Sequence, residues 1–142
     1  MSKILKIRAR QVFDSRGNPT IEAEVYSKNL SASAICPSGA STGTYEAFEK
    51  RDSNNKKYLG KSVLGAVNLV NTKISKRLTG ANIHDQTRID TILINLDGTR
   101  QKTSLGANTI LAVSMAAKKL SAKIKKVPLY KTFFNSIHKI FC

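Results

Sequence analysis

Between Ile4 and Phe13 the chain alternates: Leu5, Ile7, Ala9 and Phe13 share one parity, Lys6, Arg8 and Arg10 the other. A period of two predicts a strand with one buried face. "DSRGNPT" (Asp14–Thr20) then supplies a turn, because Gly17 permits positive φ, Asn18 tolerates it and Pro19 cannot donate to a ladder. Alternation resumes with Ile21, Ala23 and Val25 against Glu22 and Glu24. The polar face of the first strand is cationic and that of the second anionic. Antiparallel pairing therefore sets opposite charges across from each other, each pair contributing about 0.2–1 kcal/mol. A third strand is predicted near Ser31–Cys36, after a turn at "SKNL" and ended by Pro37.

Beyond that point the period changes. Val63, Val67, Val70, Ile74 and Leu78 recur at helical spacing, with Gly80 where a stop belongs. Asp85 is placed to cap a second helix carrying Ile89, Ile92, Leu93 and Leu96, and "DGT" (Asp97–Thr99) breaks it. From Leu105 to Ile124 the stripe Ile110, Val113, Ser114, Ala117, Leu120 and Ile124 marks the strongest helix, closed by Pro128. Its alanines and Ser114 allow close approach of a neighbouring helix. Strands followed by helices predict an α+β fold, a three-stranded antiparallel meander backed by a helical layer. Arg51–Ser62, "RDSNNKKYLGKS", is predicted to be an exposed loop.

Composition adds little to the fold and something to function. At 142 residues and 41% hydrophobic the chain suits one domain. It has no run of 18 apolar residues to span a membrane, and no apolar h-region follows its charged start, which fits a cytoplasmic setting. Cys36 and Cys142 match no metal or redox spacing. The net charge of +15 raises the question of nucleic acid, but the excess is mostly lysine, concentrated after Asp97, without an arginine-rich arm or interleaved aromatics. That distribution favours a solvated lysine surface, or one meeting an acidic partner, over a nucleic-acid site.

Few residues offer chemistry. Gly60-Lys61-Ser62 ends like a phosphate-binding loop, but Asn55 stands where the motif needs glycine, so a helix start is the better reading. His84 and His138 have no cysteine or carboxylate at ligand spacing and are expected to be exposed. No pair of carboxylates shows an acid–base arrangement. "PSGASTG" (Pro37–Gly43) holds no large apolar side chain and cannot fill a core. It is either a solvent-exposed connection or a mobile lid: its glycines can absorb φ/ψ change, and its hydroxyls and carbonyls are hard oxygen ligands suited to magnesium. Without carboxylates it could complete a metal site but not make one.

"PSGASTGTYEAFEKRD" resembles the lid-loop signature of the enolase family, with the Glu46-Ala47 and Arg51-Asp52 pairs in place. "ARQVFDSRGNPTIEAEV" (Ala9–Val25), "GKSVLGAVNLVNTKI" (Gly60–Ile74), "LGANTILAVSMAAK" (Leu105–Lys118) and "VPLY" (Val127–Tyr130) resemble enolase segments in family order. The resemblance covers residues 3–130 and implies an enolase N-terminal-like domain over 1–130, with a divergent tail over 131–142. In the family this small domain sits on a large α/β barrel, which is absent here; a truncated gene, a frameshift or a partial sequence would each end the chain so. The resemblance implies reversible dehydration of 2-phosphoglycerate to phosphoenolpyruvate in glycolysis, with Mg2+ as cofactor. The family's base, acid and metal carboxylates lie in the barrel, so no catalytic residue is expected in this chain. What carries over is the lid, Ser38, Gly39, Ala40, Ser41, Thr42 and Gly43, with Ser41 as a ligand to a second magnesium. Arg16 carries over as a contact of the family homodimer. The alternative is a non-catalytic module using its basic surface on nucleic acid, an anionic membrane or an acidic protein.

Overall fold

The hairpin and its charge pairing form as the alternation predicts. In the computed structural model, which describes residues 2–37, 43–54 and 56–133, β1 (Lys6–Phe13), β2 (Pro19–Ser27) and β3 (Leu30–Cys36) make an antiparallel sheet in the order β1-β2-β3. Register sets Arg10 opposite Glu22 and Arg8 opposite Glu24. Arg10 bridges Glu22 at 3.2 Å and Glu24 at 2.6 Å, and Glu24 also accepts from the Tyr26 and Ser31 hydroxyls. Those two hydroxyls lower the Glu24 pKa against partial burial, with Arg10 adding to the effect.

The opposite face carries Ile7, Ala9, Ile21, Ala23, Val25 and Ala34 into the core. Two positions depart from the strand reading: Leu5 and Phe13 are exposed, and Ile4 is buried instead. At the start of β1 the reason is that regular pairing begins only at Lys6, with the Leu5 N–H still donating to Tyr26 O at 2.8 Å. The Ile4 N–H donates to Ala81 O, Gly80 N–H donates to Ile4 O, and Lys3 bridges Asn82, which turns Ile4 inward under the helices. Phe13 instead meets the Tyr58 ring edge-to-face at 5.4 Å.

The first helical stretch runs as α1 (Leu64–Leu69), a π-helical turn (Val70–Ile74) and α2 (Ser75–Leu78). Val63, Val70, Ile74 and Leu78 are fully buried, as their spacing predicts. The π turn was not legible in that spacing; it carries Asn71, whose amide pairs with both backbone groups of Ala9 on β1. α3 (Gln86–Asp97) starts on Asp85, whose carboxylate accepts the Arg88 N–H at 3.0 Å, and stops at Gly98 in the left-handed conformation, φ 70°. α4 (Ala107–Lys125) buries Ile110, Val113, Ala117 and Leu120 between the sheet and α3. Ser114 does mark the helix–helix approach, donating to Asp90 at 2.6 Å.

His84 is a correction. It is half-buried rather than exposed, its Nδ1 lying 2.8 Å from the Ser121 hydroxyl on α4. Burial, with Lys125 nearby, lowers its pKa. His138 lies outside the described residues. Among the described residues no helix is long and apolar enough to cross a membrane.

Candidate functional site

The connection singled out by sequence leaves the sheet at the end of β3. There the Thr20 hydroxyl donates to Cys36 O, fixing the strand end to β2 just before Pro37. Ser38, Gly39, Ala40, Ser41 and Thr42 lie outside the described residues; Gly43 is described and exposed. Gly43 opens a turn closed from both ends. Its N–H donates to the Glu46 carboxylate at 2.9 Å, and Glu46 N–H donates to Gly43 O at 3.1 Å. The Glu46-Ala47 pair of the resemblance thus begins with a carboxylate that anchors the backbone beside the loop.

From Phe48 onward the chain is held by polar groups from distant parts of the sequence. Phe48 N–H donates to Gln101 O at 2.7 Å, and Ala107 N–H donates to Phe48 O at 2.8 Å. Asn108, buried near the start of α4, takes both backbone groups of Lys50: it accepts from Lys50 N–H and donates to Lys50 O, each at 3.0 Å. Gly106 makes the approach possible. Its φ is +90°, and a Cβ there would lie 2.5 Å from the Lys50 Cβ, closer than such atoms come without backbone movement.

The Arg51-Asp52 pair faces the other way, toward the hairpin and α1. The Arg51 guanidinium donates to Pro19 O at 3.1 Å, to Lys61 O, and to Glu49 at 2.9 Å. The Asp52 carboxylate accepts the Gly65 N–H, and Asp52 N–H donates to Ser62 O at 2.8 Å. Residues 51–62 are therefore not simply an exposed loop: Arg51 and Asp52 are half-buried and Ser62 is fully buried. Gly60-Lys61-Ser62 directs nothing toward a phosphate. Lys61 donates to Asn18, the Ser62 hydroxyl donates to Gln11 at 3.0 Å, and the helix begins only at Leu64. The middle of the stretch makes a left-handed turn, with φ of 53° at Tyr58 and 55° at Leu59. Each such non-glycine residue costs roughly 1–2 kcal/mol.

Arg16 sits in the β1–β2 turn at the same end of the sheet. Its N–H donates to Asp14 Oδ1 at 2.9 Å and its guanidinium lies 3.9 Å from Asp14 Oδ2. The Asn18 N–H chiefly holds the Asp14 pKa low, opposed by partial burial and helped by Arg16 and Arg51. A shallow groove lined by Asp14, Ser15, Ile35, Pro37 and Lys119 joins this turn to the start of the loop. The structure thus gathers the hairpin turn, the loop's two stems and the Arg51 anchor at one end. Sequence reasoning missed Asn108, Gly106 and Lys50. The one available signal was a glycine and an asparagine flanking Ala107 at a helix start.

Among the described residues no three His, Cys, Asp or Glu side chains group to hold a metal ion. The described residues alone therefore do not fit a magnesium site.

Comparison with known proteins agrees with this architecture. The family model described as "Enolase, N-terminal domain" matches residues 4–133. The enolase of Pelagibacter ubique (strain HTCC1062) is 92% identical over 133 residues, which are 94% of this chain and 32% of that protein. The enolase of Malacoplasma penetrans (strain HF-2) is 55% identical over 136 residues, 95% of this chain and 30% of that protein. The chain spans about a third of the length of the curated relatives it matches. With its meander, its helical layer and a family match running through nearly all of the described residues, the chain belongs to the enolase N-terminal domain family.

Proposed function

We propose that this chain is the lid-bearing N-terminal part, residues 1–130 with a divergent tail over 131–142, of an enolase that interconverts 2-phosphoglycerate and phosphoenolpyruvate. The observation that carries the reading is the match over residues 4–133, joined to 92% identity with a protein named enolase. The relevant cofactor is Mg2+, which supplies neutralisation of substrate negative charge when bound. Ser41 is the one residue of this chain assigned to it, a hard-oxygen ligand whose companions belong to a barrel domain. Ser38 to Gly43 form the lid over the substrate, Arg16 contributes to a homodimer of the complete protein, and the setting is the cytoplasm, with neither membrane nor nucleic acid as partner. The role of the described residues is to fix the lid's stems. Thr20 ties down the end of β3, and Glu46, Asn108 and Arg51 anchor the return.

The test is a graft. The 142-residue chain alone is expected to form no phosphoenolpyruvate with magnesium in excess, as followed by ultraviolet absorbance. Residues 1–130 exchanged into the Pelagibacter enolase in place of its own N-terminal part should support turnover, and Ser41→Ala in that graft should lower turnover while leaving stability within about 0.5 kcal/mol. An inactive but folded graft would overturn the reading, as would turnover by the isolated chain. Equal rates for Ser41→Ala and its parent at low magnesium would remove Ser41 from the site.

A further inference from the structure

The two edges of the sheet are closed by different means. On β1, Asn71 takes both outward backbone groups of Ala9, with N–O distances of 2.7 and 3.2 Å. Since Ala9 points away from β2, the alternation of antiparallel ladders makes Ala23 bond toward β3, where it pairs with Ala34. Ser31, Ser33 and Ile35 are then the β3 residues whose backbone groups face outward. Among the described residues β3 pairs only with β2, so this is an open edge.

Two of its carbonyls are occupied by lysines of α4. Lys119 Nζ donates to Ser33 O at 3.3 Å and Lys123 Nζ donates to Ser31 O at 3.0 Å. The match is one of spacing. Helix residues four apart rise about 6 Å, and strand residues two apart rise about 6.6–6.8 Å. Successive turns of α4, running antiparallel to β3, thus present one ammonium to each outward carbonyl. The series ends one turn earlier, where Met115 has no proton to give; Ile35 and Met115 are 43% and 37% exposed.

We propose that Lys119 and Lys123 form a guard on the β3 edge that prevents it from pairing with the β3 edge of a second copy of this chain. Exposed strand edges template pairing, and lysine is a common means of blunting them. Both elements of the guard act here. The ammoniums occupy the acceptors an incoming strand needs, and two antiparallel copies of this edge would bring lysines against lysines on a chain already carrying +15.

Sedimentation of the 142-residue chain over a range of concentrations tests the guard. Lys119→Ala/Lys123→Ala should raise the self-association constant at least about tenfold over the unsubstituted chain, and Lys119→Arg/Lys123→Arg should leave it unchanged. Adding Ser33→Pro, which removes an outward N–H that β2 does not use, should cancel the rise. In the associated double variant the amides of Ser31, Ser33 and Ile35 should become protected from hydrogen exchange, a readout that does not depend on the proline variant folding. No rise in association, or a rise without protection of those amides, overturns the proposal.

Discussion

α4 and the segment from Gly43 to Ser62 are attached to this domain by different physics. α4 presents Ile110, Val113, Ala117 and Leu120 on one stripe and packs against β2, β3 and α3. Among its described residues the segment 43–62 has neither helix nor strand beyond a single left-handed turn, and its chain is placed by Asn108, Arg51, Asp52 and Gln11. Apolar burial is non-directional and spread over many contacts, so it fixes a helix axis while tolerating small changes. Hydrogen bonds to particular backbone atoms fix particular residues, and each depends on one partner.

The comparison breaks most visibly in the core. Leu120→Ala, at a fully buried site, should cost about 2–5 kcal/mol by denaturant melting. The loss should be global, with exchange at the amides of residues 46–52 and at those of the sheet accelerating together. Asn108→Ala should cost less, about 1–3 kcal/mol, because two backbone groups of Lys50 lose their partner. Its signature is local: hydrogen exchange should accelerate at Phe48–Asp52 well before the sheet opens. A uniform loss of protection in both variants would mean that the segment is held by the core after all.

Asp97 joins the two regions and responds to pH. It accepts from Leu105 N–H at 2.7 Å and from Thr99, closing the α3–α4 loop against which Phe48 docks. Burial raises its carboxyl pKa, but the Thr99 and Leu105 hydrogen bonds, with Lys102 nearby, outweigh it and leave the pKa lowered. A depressed folded-state pKa contributes stability above the unfolded value, about 3.9, that is lost as pH falls through the folded value. Asp97→Asn should therefore be less stable than the unsubstituted chain at neutral pH, and the gap should narrow below about pH 4. A gap constant from pH 7 to pH 3 would assign the effect to shape rather than charge. The smallest effect belongs to the outer sheet face. Arg10→Ala removes the bridges to Glu22 and Glu24, made by an arginine side chain that is 54% exposed, and should cost about 0.2–1 kcal/mol, shrinking further in high salt.

The sequence by itself determined the elements whose periodicity repeats. The hairpin with its cationic strand face opposite an anionic one, the Asp85 cap, the break at Asp97–Thr99 and the α4 stripe all follow from local spacing and backbone chemistry. Resemblance in ordered motifs gave the family, which the match over 4–133 shows. Only the tertiary structure decided that Ile4 rather than Leu5 turns inward, that a π turn aims Asn71 at β1, and that His84 packs on Ser121. The same holds for the anchoring of the chain after Gly43 by Asn108, 58 residues beyond Lys50. These outcomes share one cause. Each is a polar or steric match between groups far apart in the chain, and a repeat of two or 3.6 residues carries no information about a partner that distant.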